Sequence, residues 1–145
     1  MNYTWTYATI NDAAEILELS LLSQREINTI YDFNPNVLAH NIANALVNQY
    51  YTGRTDLFVI ARDQDRRIVA YTWAKGGESN IWSEEHIVGI RIAQVNPNIS
   101  LRHRILLIKD MLEIWERFAQ LTNCQLIVSS TIRENQRAFL RLHEA

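Results

Sequence analysis

The sequence predicts an α/β fold in which a mixed β-sheet carries helices on its faces. Three observations predict it. Stretches with the two-residue strand period alternate with stretches of helical period, in the order β, α, α, β, β, β, α, β, α. The middle strands form an antiparallel run, and a strand–helix–strand crossover follows, which makes the sheet mixed. The chain has 145 residues and an apolar fraction of 48%, enough to bury a real core. No repeat, low-complexity tract or linker divides it, so residues 1–145 read as one domain.

The elements follow in order. Residues 3–10 alternate aromatic or β-branched side chains with polar ones, the pattern of a strand. Asp12 and Glu15 have the spacing of a capping box, which opens a helix with Ile16, Leu17, Leu19, Leu21 and Leu22 on its apolar face. Asn34-Pro35 starts a second helix, with Asn as the cap and Pro at the first helical position, where no amide donor is needed. Leu38, Ile42, Ala45, Leu46 and Tyr50 form its stripe, and Gly53 marks its exit. Residues 57–62 and 67–75 are strands joined by the polar turn 63–66 into a hairpin, which Gly76-Gly77 ends. A strand over 86–95 follows. Ser100 then caps a long helix carrying Leu106, Ile108, Met111, Leu112, Trp115, Phe118 and Leu121. Residues 125–130 are a strand, and 135–145 a last helix with Ala138, Phe139 and Leu142.

Composition narrows the function. A net charge of −2 draws in neither nucleic acid nor an anionic membrane, so neither is an expected partner. The single cysteine, Cys124, precludes an internal disulfide, and beside Leu126-Ile127-Val128 it reads as a buried structural thiol. No apolar stretch has bilayer length, and the N-terminus lacks a signal peptide's basic start and apolar centre, so a soluble, cytoplasmic protein is expected. No Cys/His cluster suggests a metal, and no Gly-x-Ser-x-Gly elbow occurs. His40 and His143 lack a second ligand at helical spacing and read as surface residues. Trp5, Tyr7, Tyr71, Trp73 and Trp115 read as core or half-buried positions rather than a binding platform.

Two local patterns go further. Val95-Asn96-Pro97 leaves a strand and leads into the long helix, and Asn135-Gln136-Arg137-Ala138 follows the next strand. With the element order, these make nearly the whole chain resemble the GNAT superfamily of N-acetyltransferases. The resemblance implies that the loop after Val95 and the N-terminus of the long helix hold the pyrophosphate of acetyl-coenzyme A, as free amides and a helix dipole favour an anion. It makes Val95, Arg102, His103, Arg104 and Asn135 the cofactor-binding candidates. It also implies a general acid four residues past Ala138.

The sequence departs from that pattern at functional positions. Where the family's loop carries glycines, this chain has His103 and Ile105, and no glycine occurs from Ile90 to Ala145. The general-acid position holds Leu142. The chain reaches Ala145 without the family's Gly-Phe pair and final strand, so either the sheet lacks that strand, or another chain supplies it, or the sequence is shortened. The reading these departures favour is a GNAT-like fold that has lost acetyl transfer and needs no cofactor. It would bind a protein partner or a second copy through an uncovered sheet edge. A small structural or assembly component, of the kind bacteriophages carry with this fold, is the setting, and a viral particle its place. The alternative is an acetyl-CoA-dependent N-acetyltransferase acting on a small amine or protein amine, with Arg102 and Arg104 contacting the phosphates directly. A coenzyme A or acyl-coenzyme A sensor is a third. For an enzyme, Glu85 or His86 is the candidate base, beside the simpler reading of Glu84, Glu85 and His86 as a polar loop cluster.

Overall fold

The computed structural model describes residues 3–22, 34–51, 56–79 and 81–129. Strand β1 (Thr4–Tyr7) leads through a short 3-10 turn (Ile10–Asp12) into α1 (Ala13–Leu21). Helix α2 (Pro35–Tyr51) comes next, then β2 (Asp56–Arg62), β3 (Ile68–Ser79) and β4 (His86–Val95). Helix α3 (Leu101–Leu121) crosses over to β5 (Ile127–Val128). The strands lie side by side in the order β1-β2-β3-β4-β5. The first four are antiparallel, and β5 runs parallel to β4, with Val88 opposite Ile127 and Gly89 opposite Val128. This is the mixed sheet that the element order predicts. The last helix expected over 135–145, with Asn135, Leu142 and His143, lies outside the described residues, as does Gly53.

Helices cover both faces. On one, Leu107, Met111, Trp115 and Phe118 of α3 pack on Leu57, Val59, Val69 and Val88. On the other, Ile16 and Leu19 of α1 and Ile42, Ala45 and Leu46 of α2 pack on Phe58, Ile60 and Tyr71. Strand β2 is therefore buried on both sides, which explains its unbroken apolar run. Each such aliphatic or aromatic side chain contributes about 1.5–3 kcal/mol on burial. Cys124 is buried in the first cluster, as expected.

The start of α2 is as the sequence predicts, with Asn34 Oδ1 accepting from the amides of Asn36 at 3.0 Å and Val37 at 3.3 Å. Buried Gln49 adds a tie that apolar patterning does not reveal: it donates to Ala8 O at 3.1 Å and accepts from Phe58 N at 2.6 Å.

Four expectations need correction. The carboxylate at the start of α1 acts one turn earlier, because a 3-10 turn precedes the helix: Asp12 Oδ2 accepts from Thr9 N at 2.8 Å, while Glu15 Oε2 reaches across to Ile68 N at 2.7 Å. Gly76-Gly77 does not end β3. Gly77 takes φ +71°, and the pair bulges against Val88 so that the ladder resumes at Glu78 opposite Ile87. On α3 the buried stripe runs through Leu107 rather than Leu106, and Leu121 is 84% exposed, because the helix turns its Leu107-Met111-Trp115-Phe118 row to the sheet. Tyr7 is 62% exposed, since β1 is the edge strand of the sheet among the described residues.

Candidate functional site

The end of β4 and the start of α3 form one corner of the sheet. Asn96 N bonds Val69 O at 2.8 Å, anchoring the loop as it leaves the strand, and Asn98 N closes a turn onto Asn96 Oδ1 at 2.9 Å. Ser100 caps α3, its Oγ accepting from His103 N at 3.3 Å. The amides of Leu101 and Arg102 have no intrahelical acceptor, and neither bonds any other group among the described residues. Arg104 lies alongside with its Nε buried and without a hydrogen-bond partner. Unpaired donors and the positive end of a 21-residue helix together suit an anion.

His103 stands where a family glycine is expected, and its ring is engaged by Tyr3. Tyr3 Oη and His103 Nδ1 are 2.9 Å apart, with the rings edge to face at 5.9 Å. That contact reaches toward β1, the opposite edge of the sheet from β5. Burial, followed by the charge of Asp63, raises the pKa of Tyr3 above the usual phenol value, so the hydroxyl stays protonated. Arg102 is exposed, and Val95 is buried beneath the corner.

Further along β4 the ladder is irregular. Ile92 pairs with Trp73 and Ile90 with Ala74, leaving Arg91 as an extra residue, a bulge that turns its side chain out of the ladder. Among the described residues, β4 pairs with β5 only at Val88 and Gly89, so over 90–95 its outer edge faces no described strand. Beside the bulge, on the face that α2 covers, lies a cavity of about 440 Å³. Leu38 and Ile42 of α2, Trp73 and Lys75 of β3, and Arg91 and Ile92 of β4 line it. Glu78 forms an ion pair with Arg91. Its carboxylate lies over Gly89, where an added Cβ would be 2.6 Å from Oε2.

Glu84, Glu85 and His86 are exposed at the opposite end of β4. Glu85 N bonds Ser83 Oγ at 3.2 Å, and His86 pairs with Ser79. His86 is the neighbour of Ile87, which pairs with Glu78, but none of Glu84, Glu85 and His86 lines the cavity. The sequence-predicted residues are thus divided: Val95, Arg102, His103 and Arg104 share one corner, Glu85 and His86 stand apart, and Asn135 lies outside the described residues. Lys75, Glu78 and Arg91 were not singled out in the sequence, and Trp73, read there as a core or half-buried position, lines the cavity. The available signal was Gly89, a lone glycine inside a strand pattern, which marks a close approach by another group.

No family model and no curated protein sequence matches the chain. Solved structures do. An aminoglycoside antibiotic 6'-N-acetyltransferase from Acinetobacter baumannii is 13% identical, with a TM-score of 0.72 over 99% of this chain and 88% of that one. A predicted acetyltransferase with acetyl-CoA from Clostridium acetobutylicum is 12% identical, with a TM-score of 0.74 over 99% and 90%. Glucosamine-6-phosphate N-acetyltransferase from Arabidopsis thaliana is 12% identical, with a TM-score of 0.69 over 100% and 92%. The chain has the fold of the GNAT superfamily of N-acetyltransferases. Among the described residues, no helix is long and apolar enough to cross a membrane.

Proposed function

We propose that this chain is an acetyl-coenzyme A-dependent N-acetyltransferase acting on a small amine or a protein amine. The observation that carries the reading is the corner where β4 meets α3. Two amides and the buried Nε of Arg104, all without a partner among the described residues, stand there, in a fold shared with acetyltransferases. His103, at one of the family's glycine positions, has its ring bonded to Tyr3. The Leu101 and Arg102 amides, with the guanidinium groups of Arg102 and Arg104, would hold the pyrophosphate. Over 90–95, where β4 faces no described strand, its backbone donors and acceptors would be open to the rest of the cofactor. Acetyl-coenzyme A supplies an acyl group activated as a thioester.

The chain's own work is then to bind the amine and relieve it of a proton. Glu78 is the proton acceptor, since Arg91 holds its carboxylate against Gly89 beside the cavity. Arg91 and Gly89 are positioning residues, the first by pairing with the carboxylate and the second by leaving room for it.

Thermal unfolding with and without acetyl-coenzyme A tests the reading. Ligand at a hundred times its dissociation constant adds about 2.7 kcal/mol. For a chain of this length the midpoint rises by about 5–10 °C. A rise of that order, with thiol release on adding amines, is the expected result; no rise at millimolar ligand overturns it.

A further inference from the structure

The cavity beside the β4 bulge carries information about what enters it. Its walls are apolar on the α2 side, where Leu38 and Ile42 stand, and Ile92 adds to this from β4. Trp73 supplies an aromatic wall whose orientation is fixed, because its Nε1 donates to Asp56 Oδ1 at 2.9 Å and its ring stacks on Phe58 at 6.3 Å. The charged lining is all of one sign. Lys75 and Arg91 are both cations, and the one remaining lining residue, Asn41, is neutral.

Two carboxylates stand nearby, and both are engaged. Asp56, directly opposite Lys75 in the ladder, is only 5% exposed and bonds the Trp73 indole. Glu78 pairs with Arg91 through one terminal nitrogen, Nη2, which leaves the other guanidinium donors available. Lys75 makes no ion pair or hydrogen bond among the described residues. An ammonium group with three donors and no partner, beside a second cation on an aromatic and aliphatic wall, is arranged for an anionic oxygen group on an apolar body. The same pair of charges repels a polycation.

We infer that the cavity selects a small amine that carries a carboxylate or phosphate, bound by Lys75 and Arg91, with its apolar part against Trp73, Leu38 and Ile42. The inference rests on the acyl-transfer reading for the cavity being the acceptor side, but its ligand chemistry stands on the lining alone. A polyamine, or an amino compound of several positive charges, is excluded by the same chemistry.

The test separates the two readings by measuring binding without cofactor as well as turnover with it. Phenylalanine is compared with phenylalaninamide, phosphoethanolamine with ethanolamine, and spermidine serves as the polycation. Calorimetric titration of the cofactor-free protein gives affinities, and thiol release from acetyl-coenzyme A gives kcat/KM. A charge-assisted contact predicts that at least one amine bearing an acid group binds about tenfold or more tightly than its counterpart without it, with spermidine weakest. Which pair shows the gap tells carboxylate from phosphate. Lys75→Gln collapses that ratio, whereas Lys109→Gln, the same charge change on an exposed residue of α3, leaves it intact. Equal binding within both pairs, tightest binding of spermidine, or an unchanged ratio in Lys75→Gln overturns the inference. These results stand whether or not acetyl-coenzyme A is turned over, so failure of the enzyme reading and failure of this one are told apart.

Discussion

Trp115 and Thr72, 43 residues apart in sequence, meet in the core: the indole Nε1 of α3 donates to Thr72 Oγ1 of β3 at 3.0 Å. Thr72 Oγ1 in turn donates to Ile92 O of β4 at 2.9 Å. One fully buried hydroxyl thus joins a helix to two strands at the step of the ladder where Arg91 bulges out. The bulge that shapes the cavity is held from the opposite face of the sheet.

Thr72→Val keeps the shape and removes both bonds, leaving the indole N–H and the Ile92 carbonyl without the hydroxyl. Loss of stability by about 1–3 kcal/mol is expected. At this chain length that lowers the thermal midpoint by roughly 3–10 °C. Thr72→Ser retains the hydroxyl and should recover most of the loss, which a pair of melting curves decides.

Tyr71 makes stability fall in alkali. Its hydroxyl donates to Gln94 Oε1 at 2.6 Å and bonds Ser20 Oγ, in a site closed to water. Burial raises its pKa above the ordinary value near 10, a rise that the bond to Ser20 partly offsets. Below pH 10 both folded and unfolded chains hold the proton, and the stabilisation is complete. Above it the unfolded chain releases the proton first, so stability falls toward the folded pKa by up to about 1.4 kcal/mol per pH unit. Denaturant titrations from pH 9 to 11 should show a shallower fall in Tyr71→Phe than in wild type. At neutral pH that variant is less stable by about 1–2 kcal/mol, because Gln94 loses its donor.

Arg104→Leu should have opposite effects with and without ligand. Alone, the variant loses a buried N–H that has no partner, so its melting point stays level or rises. With acetyl-coenzyme A, loss of a charge-assisted contact weakens binding by about tenfold or more. A variant that melts lower by itself and binds the cofactor unchanged would refute the assignment.

Gly89→Ala displaces the Glu78 carboxylate, since the new Cβ would lie 2.6 Å from Oε2. The group in the way is the flexible end of a side chain, so stability should change by less than about 1 kcal/mol. Turnover should fall by about a hundredfold, as in Glu78→Gln, if the carboxylate takes the amine proton. Retention of wild-type rates in both variants would show that Glu78 has no part in proton removal.

The division between sequence and structure is visible in particular elements. The ladder of β2 with β3, the caps at Asn34 and Ser100, and the crossover from β4 through α3 to β5 were legible, because each rests on local chemistry: a period, a capping oxygen or a turn. The anion-binding corner was legible in part, for Val95, Arg102, His103 and Arg104 lie next to one another along the chain. Its character was not, because the direction of the His103 ring depends on Tyr3, 100 residues away.

What the sequence by itself determined is the class of fold and the place where β4 hands over to α3, since periodicity and capping act within a turn or two of chain. What only the tertiary structure decided is the cavity. Lys75, Glu78 and Arg91 come together through two irregularities of register, one at Gly76-Gly77 and one at Arg91. A bulge shifts which side chains share a face, and that shift follows from strand pairing and from the helices packed on the sheet, not from any local pattern.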